Sequence, residues 1–290
     1  MEVDFSIVTA SFRQLDLLRL CLASVADQEG VSLEHIIQDG GTPGFPEFTR
    51  EMEKSWPERP GYSRQMESQA DTGMYDGINR ALKKTRGRIC GYLNSDEQYL
   101  PGSLAAVLET FCREPRLGAV LGDVVVIYPD GRPICFRKMV VPRLTHTWTC
   151  HFSALTAGIF FRRELMEQGL LYDTSYRIAA DAEWFVRLLA MGTSVGTLGK
   201  PTSTFMESGQ NLGVGEKAAA EARRLCAEAP RWMRWGRAIW VLVHRWRRLV
   251  QGAHARKTFD YQIHTLGASR RRTFHANRLT TIWPGRVWNY

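Results

Sequence analysis

The sequence lacks any apolar run approaching the roughly 18 residues that a membrane-spanning helix needs. Cysteine is scarce: six residues, at 21, 90, 112, 135, 150 and 226, show neither a CxxC pair nor a Cys/His pairing at zinc spacing. Several fall within apolar runs and read as reduced core residues of a cytosolic protein. No G-x-G-x-x-G and no P-loop follows the first apolar strand, which argues against a dinucleotide oxidoreductase or an NTPase. Met-Glu-Val-Asp-Phe leads straight into that strand, without a charged leader and apolar core, so the expected location is the cytoplasm. Acids are almost missing from the far end. Between Arg231 and Tyr290, 13 Lys/Arg face a single acid, Asp260, a net of +12 that leaves about −4 for residues 1–230 of a chain whose total is +8. No RNA- or DNA-binding motif accompanies this basic tail, so nucleic acid is an unlikely partner.

What is present is an ordinary globular composition, 44% hydrophobic and 23% charged, long enough for one large α/β domain plus an appendage. Phe5 to Ala10 is an apolar strand. Ser11, a plausible N-cap, opens a helix to Ala26 with Leu15, Leu18, Leu22 and Val25 on one stripe. His35 to Gln38 is a second strand, ending at Asp39-Gly40-Gly41. This order implies a right-handed βαβ unit with parallel strands, placing Thr9 to Ser11 and Asp39 on one edge of the sheet. Residues 42–62, with four prolines, predict a loop and one short helix. Further on, Leu104, Val107, Leu108 and Phe111 mark a helix, Gly118 to Tyr128 a strand, Pro129 to Arg132 a turn with a hairpin return at Ile134 to Arg137, and Thr156 to Phe161 another strand. Val195 to Phe205 supplies closing strands, and Ser208 to Gly215 is a Gly-rich loop that reads either as a phosphate-covering lid or as a linker.

Residues 69–99 organise the rest. Met74, Ile78, Ala81 and Leu82 recur at helical spacing, with Asn79, Arg80, Lys83 and Lys84 elsewhere on the surface and Gly87 ending the helix. Ile89, Cys90, Tyr92 and Leu93 then form a short strand of the kind covered on both faces, stopping at Asn94-Ser95-Asp96-Glu97. Two carboxylates at the carboxyl end of a buried parallel strand lie where open α/β sheets bind ligands. They suit a hard cation such as Mg²⁺ bridging to a diphosphate; as a bare pattern, the same four residues also serve as a polar turn capping the next helix. A second acid, Asp181, falls in the first turn of a helix marked by Trp184, Phe185 and Leu188, where the helix dipole favours a carboxylate whatever its role.

DTGMYDGINRAL, a glycine, and then GYLNSDE resemble the central signature of family-two glycosyltransferases, inverting nucleotide-sugar enzymes with the GT-A fold, in the form seen in bacterial polysaccharide assembly. Glu97 stands where that pattern usually has a second Asp, and its extra methylene moves the carboxylate by about a bond length (~1.5 Å). The resemblance therefore implies Mg²⁺ or Mn²⁺ at Asp96 and Glu97 without deciding which acid is the ligand. It implies that Thr9, Ala10, Ser11 and Phe12 form the first nucleotide-contacting loop, with Asn94 and Ser95 also on the nucleotide side. Asp39 would accept a hydrogen bond from the base, typically uracil N3–H, as an acceptor-only carboxylate can, unless it is a turn acid before glycines. Asp71 would lie near base and ribose, compatibly with an N-cap role. Asp123 borders the donor pocket or is a solvated turn acid; His151 lines the donor or acceptor pocket or simply packs. Asp181 matches the acid of the E/A-D-x-E/D motif, the general base for the acceptor hydroxyl. The Q-x-x-R-W motif of processive synthases is absent, since Arg231-Trp232 lacks its leading Gln, and this favours transfer of a single sugar.

The expected architecture is thus α/β: a GT-A, Rossmann-like domain over residues 1–215, with a mainly parallel sheet flanked by helices, and a basic, Trp-rich helical extension over residues 216–290. In that extension Trp232, Trp235, Ile239, Leu242, Trp246 and Leu249 form a stripe among arginines, suited to an anionic membrane surface or to packing on the domain or a second subunit. The expected function is metal-dependent, inverting transfer of one sugar from a nucleotide-diphosphate sugar, a UDP-sugar in preference. The acceptor is a hydroxyl of a saccharide or lipid-linked saccharide in cell-surface polysaccharide or glycolipid assembly, at a cytoplasmic or inner-face peripheral location. The alternative, to which Glu97 points, is a catalytically silent membrane-associated scaffold subunit.

Overall fold

The computed structural model describes residues 2–209 and 215–283. It opens with β1 (Phe5–Ser11), α1 (Leu15–Ala26), β2 (Leu33–Asp39), α2 (Phe45–Ser55), β3 (Tyr62–Ser68), α3 (Met74–Leu82) and β4 (Ile89–Asn94). The middle of the chain gives β5 (Gln98–Tyr99), α4 (Ser103–Arg113), β6 (Ala119–Ile127), β7 (Pro133–Arg137), α5 (Leu144–Thr149), a 3-10 turn (Thr156–Gly158), β8 (Ile159–Arg162) and α6 (Glu164–Glu167). Then come α7 (Ala180–Ala190), β9 (Val195–Met206), α8 (Glu216–Glu228), α9 (Arg231–Trp235), α10 (Arg237–Val250), β10 (Lys257–Ile263) and β11 (Arg272–Leu279).

One sheet has the order β3-β2-β1-β4-β8-β6-β9-β5, with β7 paired to β6. Strands β1 to β4 pair in parallel, as helical crossovers require. Beyond them, β8 runs antiparallel to β4 and β6, β7 antiparallel to β6 and β5 antiparallel to β9, while β9 is parallel to β6. The sheet is therefore parallel in its N-terminal half and mixed in the rest, where tight connections such as the turn at 128–132 permit only antiparallel neighbours. Successive residues of β1 enter opposite cores, as a strand's period of two dictates. Ile7 packs with Leu18, Leu22, Leu93 and Phe160 on one side, and Val8 with Ile78, Phe161 and Trp184 on the other.

Four local readings change. Ser11 does not cap α1: it continues β1 in register with Asp39, and α1 starts after Gln14 with no side-chain cap. Gly87 does not stop α3, which ends at Leu82; it passes against β1, where a Cβ would sit 2.4 Å from the Phe5 carbonyl carbon. Asn79 is not on the surface, because its amide exchanges hydrogen bonds with the backbone of Tyr172 (2.8 and 2.9 Å). Strand β3 occupies an edge and exposes half its side chains, so its sequence carried no apolar signal.

The C-terminal extension is helical only as far as α10. Its end is the hairpin β10–β11, whose Tyr261, Ile263 and Ala276 bury against Leu100, Val125 and Phe136. Arg271 grips the Asp27 carboxylate (2.6 and 2.7 Å), and the Gln98 side chain exchanges hydrogen bonds with the backbone of His264. A boundary at residue 215 therefore does not divide two cores.

Candidate active site

The parallel register brings the expected residues to one end of the sheet: Ala10 lies opposite Asn94, Ser11 opposite Asp39, and Asp39 opposite Ser68. Within that edge the side chains differ in availability. Thr9 is fully buried, with its hydroxyl against His35 Nε2 (3.0 Å). Ser11 Oγ is buried and has no partner, and Phe12 is 56% exposed beside the Arg13 guanidinium. The Asp39 carboxylate is closed to solvent and accepts four hydrogen bonds, from Gly41 N, Thr42 N, Thr42 Oγ1 and Ser68 Oγ. Three of the donors reach Oδ2 and one, the Thr42 hydroxyl, reaches Oδ1, so the carboxylate fixes the loop after β2. Asp71 accepts Gly73 N–H (2.9 Å), while its Oδ2 lies against Gly40 and Gly77. The backbone of Gly73 is in a left-handed conformation (φ 140°), and a Cβ there would meet Arg177 Nη1 at 2.7 Å. Glycine thus lets the first motif touch the segment that leads into α7.

The acidic turn after β4 is compact. Glu97 Oε2 accepts Asn94 N–H (2.8 Å), Ser95 Oγ bonds Gln14 (2.6 Å), and Asn94 Oδ1 accepts from the Tyr92 hydroxyl. Asp96 is half-buried, whereas Glu97 is fully buried with Oε1 unpartnered. Burial raises both carboxyls, and for Glu97 the adjoining Asp96 charge adds to the effect. Asp181 stands in the first turn of α7, accepts Ala182 N–H (2.8 Å), and has its carboxyl raised to about 6 by burial. Its charge reaches Glu97, Tyr75 and Tyr92, so the two acidic elements share one locality.

Glu221, absent from the sequence reading, supports Asp181. From α8 its carboxylate accepts the N–H groups of Arg177, Ile178 and Ala179, each at 2.8 Å, and so caps the turn before α7. Its partners lie more than forty residues away, a separation that no local pattern reports. Tyr75 adds a hydrogen bond to Ile178 O (3.0 Å). Asp123 is buried, accepts Met139 N–H (2.7 Å) and is raised to about 6 by burial, so it is not a solvated turn acid. His151 is grouped with His146 and His244. Of the Gly-rich loop, residues 210–214 lie outside the described residues. A groove of about 700 Å³, lined in part by Asp27, Trp56 and Arg59, opens at the amino ends of the parallel strands, the end opposite the acids.

The profile of Glycosyl transferase family 2 matches residues 6–168, more than half of the chain and the whole span from β1 past the acidic turn. The chain belongs to glycosyl transferase family 2. A relative of this glycosyltransferase, the PGL/p-HBAD biosynthesis glycosyltransferase of Mycobacterium bovis, is 24% identical over 260 residues, covering 88% of this chain and 95% of the relative. The minor teichoic acid biosynthesis protein GgaA of Bacillus subtilis is 23% identical over 198 residues, 64% of this chain and 43% of that protein. Among solved structures, S. aureus TarS 1–349 in complex with UDP superposes with a TM-score of 0.58 at 14% identity, over 86% of this chain and 74% of that one. The mannosyltransferase PcManGT from Pyrobaculum calidifontis, in complex with GDP-Man and Mn²⁺, gives 0.52 at 17% identity, over 87% and 80%. At these identities the structural likeness speaks for the GT-A fold alone.

Proposed function

We propose that this glycosyltransferase moves a single sugar, with inversion, from a nucleotide-diphosphate sugar to a hydroxyl of a saccharide or lipid-linked acceptor in cell-wall polysaccharide or glycolipid assembly. The observation that carries the reading is the convergence of Asp96 and Glu97 with Asp181 at the carboxyl edge. A UDP-sugar is the favoured donor, supported by fold neighbours in complex with UDP and UDP-GlcNAc. The named roles of relatives in PGL/p-HBAD and teichoic acid biosynthesis support the acceptor class.

The acidic turn fits a divalent cation. It offers hard oxygens, one of them buried without a partner, on carboxyls that burial has raised and that a cation would stabilise as anions. Asp96, nearer to solvent, is the ligand; Glu97, tied to the Asn94 backbone, stands behind it. Mg²⁺ or Mn²⁺ held there would offset the negative charge growing on the leaving diphosphate. Asp181 takes the acceptor's hydroxyl proton on the opposite face of the sugar, and a carboxyl raised to about 6 is well matched to that task near neutral pH. Phe12 offers an exposed ring to the base, Asp71 serves base and ribose, and Asp39 acts on the base through the loop it shapes, together with the Thr9 to Ser11 backbone.

Replacing Asp181 by Asn and measuring single-turnover transfer tests the reading. The catalytically silent scaffold is favoured only by Glu97, which stands where the family pattern has an Asp, and hydrolysis of nucleotide sugars in the presence of Mn²⁺ would remove it.

The tail supports a peripheral location on the inner face. Every residue of the predicted stripe is more than half exposed, from Trp232 at 57% to Trp235 at 85%, so most of the stripe's surface is left open, although Trp232 also meets Trp240 edge-on. Among the described residues no helix is long and apolar enough to cross a membrane.

A further inference from the structure

Three histidines from distant parts of the chain meet between α5 and α10. His146 lies on α5, His151 just beyond it and His244 on the inward face of α10, and one ring nitrogen from each lies within 4.8 Å of the other two. His146 and His244 are 2% and 4% exposed and stack with ring centroids 3.9 Å apart, while His151 meets His146 edge-on at 4.6 Å. Both ring nitrogens of His146 and Nδ1 of His244 are buried without a hydrogen-bond partner. Leaving polar nitrogens unpaired in the interior is costly, and an apolar side chain would pack there without that cost. The arrangement makes sense as a donor set.

We propose that His146, His151 and His244 form a binding site for a borderline divalent cation, Zn²⁺ foremost, that fastens the basic helix α10 to α5. Imidazole nitrogen suits Zn²⁺, Cu²⁺ or Ni²⁺, whereas Mg²⁺ and Mn²⁺ prefer oxygen, so the site is chemically separate from Asp96 and Glu97. Burial, first, and then the neighbouring positive charges hold the rings neutral, lowering His146 to about 4 and His151 and His244 to about 3. Neutral imidazole is the form that ligates. Zn–N bonds of about 2.0–2.1 Å in a tetrahedron place donors roughly 3.3 Å apart, so the ion would draw together nitrogens that here lie within 4.8 Å of one another. Three ligands leave a fourth position open. Arg137 and Arg248 act on His151 and His244, and Arg247 on His146 and His244; their charge opposes a bare dication and favours an anion, such as hydroxide or chloride, as fourth ligand. Phe152, next to His151, packs on Phe185 of α7 (5.0 Å). The cation would thereby join the helix that exposes the tryptophan stripe to the helix that carries Asp181.

The test uses the full-length protein, stripped with a chelator and titrated with Co²⁺ and then Zn²⁺. The expected result is intense visible absorption of tetrahedral Co²⁺, saturating at one ion per chain and displaced by Zn²⁺. Asp96→Asn should retain these bands, while His244→Ala and His151→Ala should each weaken Zn²⁺ binding at least tenfold. Circular dichroism establishes that each variant is folded; if His244→Ala is not, the half-exposed His151 supplies the decisive variant. The proposal is overturned if the bands are absent, or if they are unchanged in the folded histidine variants. A weak octahedral spectrum lost in Asp96→Asn also overturns it, and in that case leaves the donor-site reading intact.

Discussion

The carboxyl edge of the sheet and the α5–α10 junction both gather titratable groups and bury them, and burial acts on them with opposite sign. At the edge it disfavours the carboxylate and lifts Asp181 to about 6. At the junction it disfavours imidazolium and lowers His146 to about 4. An acid lifted toward neutral pH becomes a better proton acceptor there, and one beside a second acid gains from a cation. An imidazole pushed far below neutral pH is useless as a proton shuttle but keeps its lone pair. The same desolvation thus equips one region for acid–base and oxygen-ligand chemistry and leaves the other fit for nitrogen ligation.

The largest effect separating the two regions is expected at Asp181. Asp181→Asn removes the proton acceptor at nearly constant volume, so single-turnover transfer should fall by roughly 10²–10⁴-fold while donor affinity is kept. In the parent protein, transfer should decline as pH drops through about 6, when the base becomes protonated. Stability should move the other way. The folded state raises this carboxyl above its ordinary 3.8, so the native state binds the proton more tightly and loses stability as pH rises from 3.8 through about 6. Asp181→Asn should therefore melt higher than the parent above pH 6, by up to about 3 kcal/mol and less where water reaches the half-buried carboxylate. Unchanged transfer in the folded variant would return the role of base to another acid, with Glu183 the next candidate; that residue is already paired with Arg187.

Within the edge, Asp96 and Glu97 should separate. Asp96→Asn is expected to weaken Mn²⁺-dependent donor binding by about 10–100-fold, a loss of roughly 1.4–2.8 kcal/mol, read by calorimetry with and without the metal. Glu97→Gln keeps an oxygen for Asn94 N–H and should weaken it less. Equal losses would make both acids ligands. An equal loss without metal would make the turn structural.

Most of the edge was legible because it is written locally. A buried strand that ends in acids and strand–helix–strand order bring Asp96 and Asp39 to one end of the sheet, while for Asp181 the local pattern gives only the first turn of a helix. What the pattern could not show is how each side chain is already engaged: Asp39 with four donors, Thr9 with His35. The junction was illegible for a different reason. His146 and His151 lie near each other in the chain, but His244 arrives on α10 through tertiary packing, so no zinc-like spacing exists. In the hairpin, Phe259, Tyr261 and Ile263 do alternate with polar residues, a period-two signal hidden by reading the tail for its charge.

The smallest effect tests the outward face of α10, opposite the histidine. If the stripe enters an anionic membrane surface, the protein should sediment with phosphatidylserine-containing vesicles at low salt. Binding should weaken as salt shortens the reach of the arginines to about 8 Å at physiological strength. Deleting the tail would be a poor test, because the hairpin that follows α10 completes the core around Val125 and Phe136. Leu242→Ala is better. The side chain is 64% exposed, so the fold should lose no more than about 0.5 kcal/mol. Removing about three carbons from an inserted face, at ~0.8 kcal/mol per buried CH₂ and only partial insertion, should lower partitioning about fivefold. Trp246→Ala, on the same face, should act in the same direction, whereas Lys257→Gln in β10 should affect only the salt-dependent part. Were the parent protein to ignore anionic vesicles at low salt and elute as a dimer that Leu242→Ala dissociates, the stripe would be a subunit contact, and the inward and outward faces of α10 would both serve protein assembly.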